Sequence, residues 1–133
     1  METRTIRQSV TIGASAKDVF EALVDSKKHA RFTRDKAKIS RKTGGAFSCY
    51  SGYITGINLE LAPSRLIVQA WRSKGWPAGH YSVVSFRLSA AGSKRTRLDF
   101  VQIGVPAGDV KAKSNGWREH YWTPLKAALE SAG

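Results

Sequence analysis

The chain lacks three features that would place it outside the cytoplasm. It contains one cysteine, Cys49, and so it has no internal disulfide bond. No stretch approaches the roughly 18 apolar residues that a membrane-spanning helix needs. Its first residues, METRTIRQSV, are too polar for an export signal. These absences predict a cytoplasmic protein that does not span a membrane.

Signatures of catalysis and metal binding are also missing. The sequence contains no GxSxG, P-loop, GxGxxG, HExxH or CxxC motif. Its histidines, His29, His80 and His120, lie far apart and have no companion cysteine at metal-ligand spacing. We therefore predict a non-enzymatic protein without metal or cofactor, whose histidines form hydrogen bonds at the surface or at the rim of a site.

Acidic residues are scarce, with 10 Asp and Glu against 22 Lys and Arg, for a formal charge of +12. Much of the excess lies between residues 27 and 42, where one acid, Asp35, accompanies eight basic residues: Lys27, Lys28, Arg31, Arg34, Lys36, Lys38, Arg41 and Lys42. This pattern predicts either an ordinary solvated face or a surface that docks on an acidic protein. Nucleic acid is disfavoured because the only aromatic residue within this stretch that could stack on bases is Phe32.

With 133 residues, of which 41% are apolar, the chain has the size and composition of a single globular domain, residues 1–133. Alternation predicts a first strand over Thr3–Ile12. Ser15 is a suitable N-cap for a helix, and Ser26 starts a second, shorter helix. We expect the second helix to turn His29 outward with the lysines and Phe32 inward.

From residue 36 to about residue 104 the apolar period is two, which predicts six more strands joined by local turns. One of them, Tyr53 to Leu61, is a candidate exposed edge for dimerisation, so both monomer and homodimer are compatible with the sequence. A long helix is predicted from near Asp109 to about Ala132. Pro124 lies inside it and predicts a kink or break near His120.

Large aromatic rings are numerous for such a small domain, and several lie next to polar side chains. Their simplest role is core packing, but an apolar wall with a few polar groups is also the usual lining of a small-molecule pocket. The candidate ligand-binding residues are Trp71, Trp76, His80, Ser82, Val84, Phe86, Leu98, Phe100, Gln102, Trp117 and Tyr121.

Several segments resemble a known family. They are ASAKDVFEALVD (14–25), TGGAF (43–47), GYITGINLELAP (52–63), GWPAGHYSVVSFRL (75–88), TRLDFVQIGVP (96–106) and NGWREHYWTPLKAAL (115–129). Together they are similar to homologues of the C-terminal domain of the activator of the ninety-kilodalton heat-shock chaperone ATPase, within the START-like, helix-grip superfamily. A short, single-domain form looks like the bacterial branch. The eukaryotic activators have a separate N-terminal domain that makes the main chaperone contact.

The resemblance implies an α+β helix-grip fold. A seven-stranded antiparallel sheet would surround a long C-terminal helix, with two short helices after the first strand and a hydrophobic cavity between sheet and helix. It also implies that the Trp76-Pro77 corner and the Gly79-His80 step lie beside the entrance of that cavity.

Three functions therefore remain open. The favoured one is non-enzymatic binding of a small apolar or amphipathic ligand in the cavity. The alternative is a co-chaperone-like module whose basic surface docks on an acidic partner such as a heat-shock chaperone, in a stress response. The third is a cyclase-like or hydrolase-like enzyme that uses His80 or Gln102, disfavoured because no acid–base pair is visible.

Overall fold

The computed structural model describes residues 1–131, and it confirms the α+β helix-grip architecture. The strands are β1 (Thr3–Ile12), β2 (Ala37–Ile39), β3 (Ala46–Cys49), β4 (Ile54–Ala62), β5 (Leu66–Ser73), β6 (Ser82–Gly92) and β7 (Arg95–Pro106). The helices are α1 (Ala16–Val24), α2 (Ser26–Thr33), α3 (Val110–Trp117) and α4 (Thr123–Glu130), with one π-helical turn at Arg118–Trp122 between α3 and α4. The predicted helix end, Ala132, lies outside the described residues.

The two short helices begin where capping side chains predict. The Ser15 hydroxyl accepts a hydrogen bond from the backbone N–H of Asp18 at 3.2 Å, which satisfies one free donor in the first turn of α1. The Asp25 carboxylate accepts a hydrogen bond from the backbone N–H of Lys28 at 2.9 Å, in the first turn of α2. One residue, Asp25, thus ends α1 and starts α2, so the two helices form a tight corner after β1.

All strands pair antiparallel in the order β1-β7-β6-β5-β4-β3-β2. Consecutive strands are neighbours except for β1, which pairs with β7 at the other end of the chain. Strand β4 lies between β3 and β5, so the expectation that the Tyr53 to Leu61 segment is a free edge is wrong. The edges are β1 and the three-residue β2.

The break predicted from Pro124 is present as the π-helical turn. A proline nitrogen has no hydrogen to donate, so in a regular α-helix it would leave the carbonyl of His120 without its usual partner. Here the hydroxyl of Tyr50, at the end of β3, donates to that carbonyl at 2.7 Å. The irregular helix is therefore tied to the corner between β3 and β4.

His29 is not turned outward as expected, since its side chain is 2% exposed. Its ring lies 4.9 Å from the ring of Phe32, and its Nε2 lies 2.9 Å from the hydroxyl of Tyr121. Residues three apart share one face of a helix, so the inward position of Phe32 brings His29 with it. Burial lowers the pKa of His29 to about 4.

This buried histidine should make stability depend on pH. Because its folded-state pKa of about 4 lies below the ordinary value of 6.5, the unfolded chain binds the proton more tightly. The free energy of unfolding should fall as the pH drops from about 6.5 to about 4, by up to about 1.4 kcal/mol per pH unit. Urea unfolding at a series of pH values measures this slope.

His29→Gln keeps a hydrogen-bonding group for Tyr121 but does not titrate, so this variant should lose most of the slope between pH 4 and 6.5. His120→Gln is the matched control, because His120 is exposed and its replacement should leave the slope in place. An unchanged slope in His29→Gln would contradict the assignment.

Candidate functional site

The structure places most of the predicted ligand-binding residues in the core between the sheet and the C-terminal helix. Ten of them are buried and His80 is half-buried. On β6 and β7 the alternation is as predicted: Val84 and Phe86 face inward from β6, and Leu98, Phe100 and Gln102 face inward from β7.

The space between these residues is filled by side chains. The ring of Trp117 lies 4.3 Å from Phe100 and 4.6 Å from Tyr121, centroid to centroid. The enclosed void at the centre measures about 10 Å³, which is close to the volume needed by one water molecule. The hydrophobic cavity implied by the resemblance is therefore closed in this structure.

The predicted polar residues of the core bond to one another. The indole N–H of Trp117 donates to the side-chain oxygen of Gln102 at 2.8 Å, and the amide N–H of Gln102 donates to the Ser82 hydroxyl at 3.0 Å. Ser82 donates in turn to the backbone carbonyl of Trp71 at 2.9 Å. This chain of bonds links the helix to three strands, so Gln102 has a structural partner on each side.

Neither Trp76 nor His80 lines the central void, and the side chains of both form hydrogen bonds with other segments. The indole of Trp76 donates to the carboxylate of Asp109 at 2.7 Å, just before α3. His80 donates from Nε2 to the backbone carbonyl of Gly104 on β7 at 2.8 Å. The corner thus anchors the start of the C-terminal helix.

A groove of about 430 Å³ opens instead at the end of the core where α3 passes the corner between β3 and β4. We call it the mouth groove. It is lined by Asp35, Tyr50, Tyr53, Ile54, Trp71, Ala112, Lys113, Gly116, Trp117, His120 and Tyr121. Of the predicted ligand-binding residues, only three line the groove: Trp71, Trp117 and Tyr121. These three also border the central void.

The walls of the mouth groove differ in chemistry. On the helix side, Ala112 and Gly116 lie one turn apart and leave the α3 surface low. On the opposite side stand Tyr50 and Tyr53. The ammonium of Lys113 lies 5.6 Å above the ring of Tyr53 and 2.9 Å from the carboxylate of Asp109. The groove is therefore aromatic and apolar, with charged groups at its rim.

Backbone conformation explains why sequence reasoning missed Tyr50 and Tyr53 as a pair. Three successive residues, Tyr50, Ser51 and Gly52, have positive φ angles of 52°, 56° and 91°. Only the glycine of this group signals such a turn in the sequence. The left-handed turn brings Tyr50 under His120, where burial raises the pKa of its hydroxyl.

Cys49 and the histidines do not form a reactive centre in the described part of the chain. Burial raises the pKa of the Cys49 thiol to about 12, so the thiol stays protonated at neutral pH. Within residues 1–131 no cluster of three or more histidine, cysteine or acidic residues has the arrangement of a metal site. None of the helices in that range is both long and apolar enough to cross a membrane.

The eight basic residues between 27 and 42 are all exposed. They lie on α2, on β2 and in the loops that flank these elements. Among the described residues, Arg41 is the only one of the eight with an ion pair, to Glu21 at 2.8 Å and Asp25 at 3.8 Å. The other seven form no ion pair within residues 1–131, and we call the eight residues together the basic face.

The fold and this site define a START-like helix-grip protein with a closed core and an open mouth groove. Residues 13–130 match the family model described as activator of Hsp90 ATPase homolog 1-like protein, and the chain belongs to that family.

Curated relatives agree. The chain is 31% identical to an activator of 90 kDa heat shock protein ATPase homolog from Dictyostelium discoideum, over 93% of this chain and 32% of that protein. It is 26% identical to a human activator of 90 kDa heat shock protein ATPase homolog 1, over 87% of this chain and 34% of that protein. It thus spans about a third of these relatives.

Solved structures support the same fold. An HSP90 activator from Plasmodium falciparum superposes with a TM-score of 0.90 at 24% identity, covering 95% of this chain and 96% of the other. A protein from Chromobacterium violaceum superposes with a TM-score of 0.77 at 25% identity, covering 95% and 97%. The helix-grip fold therefore accounts for nearly all of each of these two solved chains.

Replacing Gln102 tests the hydrogen-bonded chain in the core. Gln102→Met should reduce the free energy of unfolding by about 1–3 kcal/mol, because the indole N–H of Trp117 loses its acceptor in a fully buried position. Chemical denaturation measures the change. Gln8→Met is the matched control: Gln8 accepts the indole N–H of Trp122 at 2.6 Å, but it is only half-buried, so water can replace it. Equal losses in the two variants would contradict the proposed importance of the core chain.

Proposed function

We propose that this chain is a non-enzymatic member of its family that binds a small amphipathic molecule in the mouth groove. The observation that carries the proposal is the aromatic and apolar lining of the mouth groove, which is open at about 430 Å³ beside a core whose void is only about 10 Å³. Small-molecule sites in proteins usually measure about 300–1,000 Å³. The groove therefore has the necessary size, while the interior does not.

The lining supports an amphipathic ligand with a flat apolar part. Such a ligand would lie on the low surface of α3 at Ala112 and Gly116, with the rings of Tyr50 and Trp71 on its other sides. Aromatic walls favour planar apolar groups, and Lys113 at the rim would meet a polar end. His80 and Gln102 are already engaged in structural hydrogen bonds, which favours binding over an enzymatic role for them.

A second candidate function is docking of the basic face on an acidic protein, with the 90 kDa heat-shock chaperone as the first partner to test. Family membership and the seven unpaired basic side chains support this candidate. Complementary charge would mainly accelerate association and make binding sensitive to salt. The two functions use different surfaces, so both are compatible with one molecule.

Filling the groove should abolish ligand binding. We expect fatty acids or planar amphipathic aromatics to raise the melting temperature of the wild-type protein by about 5–10 °C at a hundred times the dissociation constant. Ala112→Leu should remove most of this shift, because its side chain projects into the groove. Ala127→Leu, the same change at an exposed position of α4 that does not line the groove, should retain it. Equal shifts in both variants would contradict the site.

Charge reversal tests the second function. Lys27→Glu with Lys28→Glu should weaken binding to purified 90 kDa chaperone by about tenfold or more at low salt and flatten its salt dependence. Titration calorimetry and the ATPase rate of the chaperone are the measurements. The control reverses Lys111 and Arg118, two exposed basic residues of the C-terminal helical region. A loss of equal size in the control would indicate only a general charge effect.

A further inference from the structure

The outer face of the sheet carries a row of exposed apolar side chains that neither function above uses. Strand register aligns Ile57 of β4 with Ala70 of β5, Ala70 with Val83 of β6, and Val83 with Ile103 of β7. Paired residues of adjacent strands point to the same face, so these four side chains form a continuous row, which we call the outer stripe.

The exposure of the outer stripe is unusual for the solvent face of an antiparallel sheet. Ile57, Val83 and Ile103 are 43%, 42% and 55% exposed. In most antiparallel sheets the residues on the solvent face are polar, while apolar residues point to the core. The neighbouring row adds Val68 and Val101, which are half-buried. Contiguous apolar patches of this kind typically mark interaction surfaces.

We propose that the outer stripe binds an amphipathic helix of a partner protein, with apolar residues on one side and acidic residues flanking them. Strands in a sheet are about 4.8 Å apart, so the stripe from β4 to β7 is about 14 Å long. That length matches about ten residues of α-helix, or nearly three turns. A helix with apolar residues at positions i, i+3 or i+4, and i+7 would therefore cover it.

The charge around the outer stripe selects an acidic partner. Arg7 and Arg87 are exposed on the same face, and neither forms an ion pair within 4 Å in residues 1–131. Two acidic residues share this face, Asp99 opposite Arg87 and Glu60 opposite Val68, but the arginines outnumber them because Arg97 lies there as well. Arg72, on the other side of the stripe, lies 5.8 Å over the ring of Tyr81. These positive groups match flanking carboxylates and would repel a basic helix.

The same charges disfavour the two other occupants. A second copy stacked face to face would bring the arginines of two chains, each with a formal charge of +12, close together. A membrane surface is usually met by protruding Trp, Phe or Leu side chains. The outer stripe presents short β-branched and alanine side chains in a flat row, which suits packing against another protein.

A designed peptide tests the proposal without knowledge of the natural partner. The probe is a fluorescein-labelled, end-capped helix of about 14 residues, long enough to span the stripe, with Leu on one face and Glu on the others. Its control has Lys in place of every Glu. Fluorescence anisotropy should show binding of the Glu peptide, which weakens with salt, and at least tenfold weaker binding of the Lys peptide.

Two sets of variants locate the binding. Val83→Thr with Ile103→Thr keeps both side chains β-branched, so the sheet is retained while affinity for the Glu peptide should fall roughly tenfold. Arg7→Gln with Arg87→Gln should weaken binding and flatten its salt dependence. Lys27→Gln with Lys28→Gln removes the same charge from the basic face and should have little effect.

Three results would overturn the proposal. One is equal affinity of the Glu peptide for the wild type and the threonine variant. Another is sedimentation with phosphatidylglycerol-containing vesicles that the threonine variant abolishes, which would assign the stripe to a membrane. The third is a concentration-dependent dimer in analytical ultracentrifugation that the threonine variant dissociates. Binding of the Glu peptide here is independent of the mouth groove, so Ala112→Leu should leave it unchanged.

Discussion

The rest of the structure depends on the packing of the Trp117 side chain in the core. Its indole lies against Phe100, Tyr121 and Trp71 and donates to Gln102. Burial of a large ring with one N–H group stabilises the fold most when that N–H has a hydrogen-bond acceptor. The side-chain oxygen of Gln102, at the centre of the sheet, is the acceptor for Trp117. The same contact fixes the position of the C-terminal helix and fills the volume that a hollow core would need.

Because the core is filled, the ligand site that we propose lies at its open end. The helix is irregular beside the mouth groove. Pro124 cannot donate a hydrogen bond to the backbone carbonyl of His120, and the hydroxyl of Tyr50 donates to that carbonyl instead. Tyr50 reaches that carbonyl only because its own backbone is left-handed. Two local departures from regular geometry, one in the helix and one in the corner between β3 and β4, thus meet at the same place and contribute to the walls of the groove.

Three surfaces of this small domain have different chemistry. The mouth groove is aromatic, the basic face is charged and largely unpaired, and the outer stripe is aliphatic with arginines nearby. Relatives named as activators of the 90 kDa heat shock protein ATPase are about three times as long as this chain. A domain that presents several independent surfaces is well suited to be combined with others or to act alone.

Much of the fold could be predicted from the sequence because local chemistry determines it. Alternation in β6 and β7 identified the inward residues, Ser15 marked the start of α1, and Pro124 marked the break in the last helix. These features depend on residues that are close together in the chain, so the sequence pattern alone is enough to predict them. What the sequence by itself could not determine were the contacts between distant segments: the burial of His29 against Tyr121, the pairing of β1 with β7, and the closure of the core around Trp117. Each of these depends on which surfaces meet after folding, since the volume left between two packed layers is decided only by how their side chains interlock.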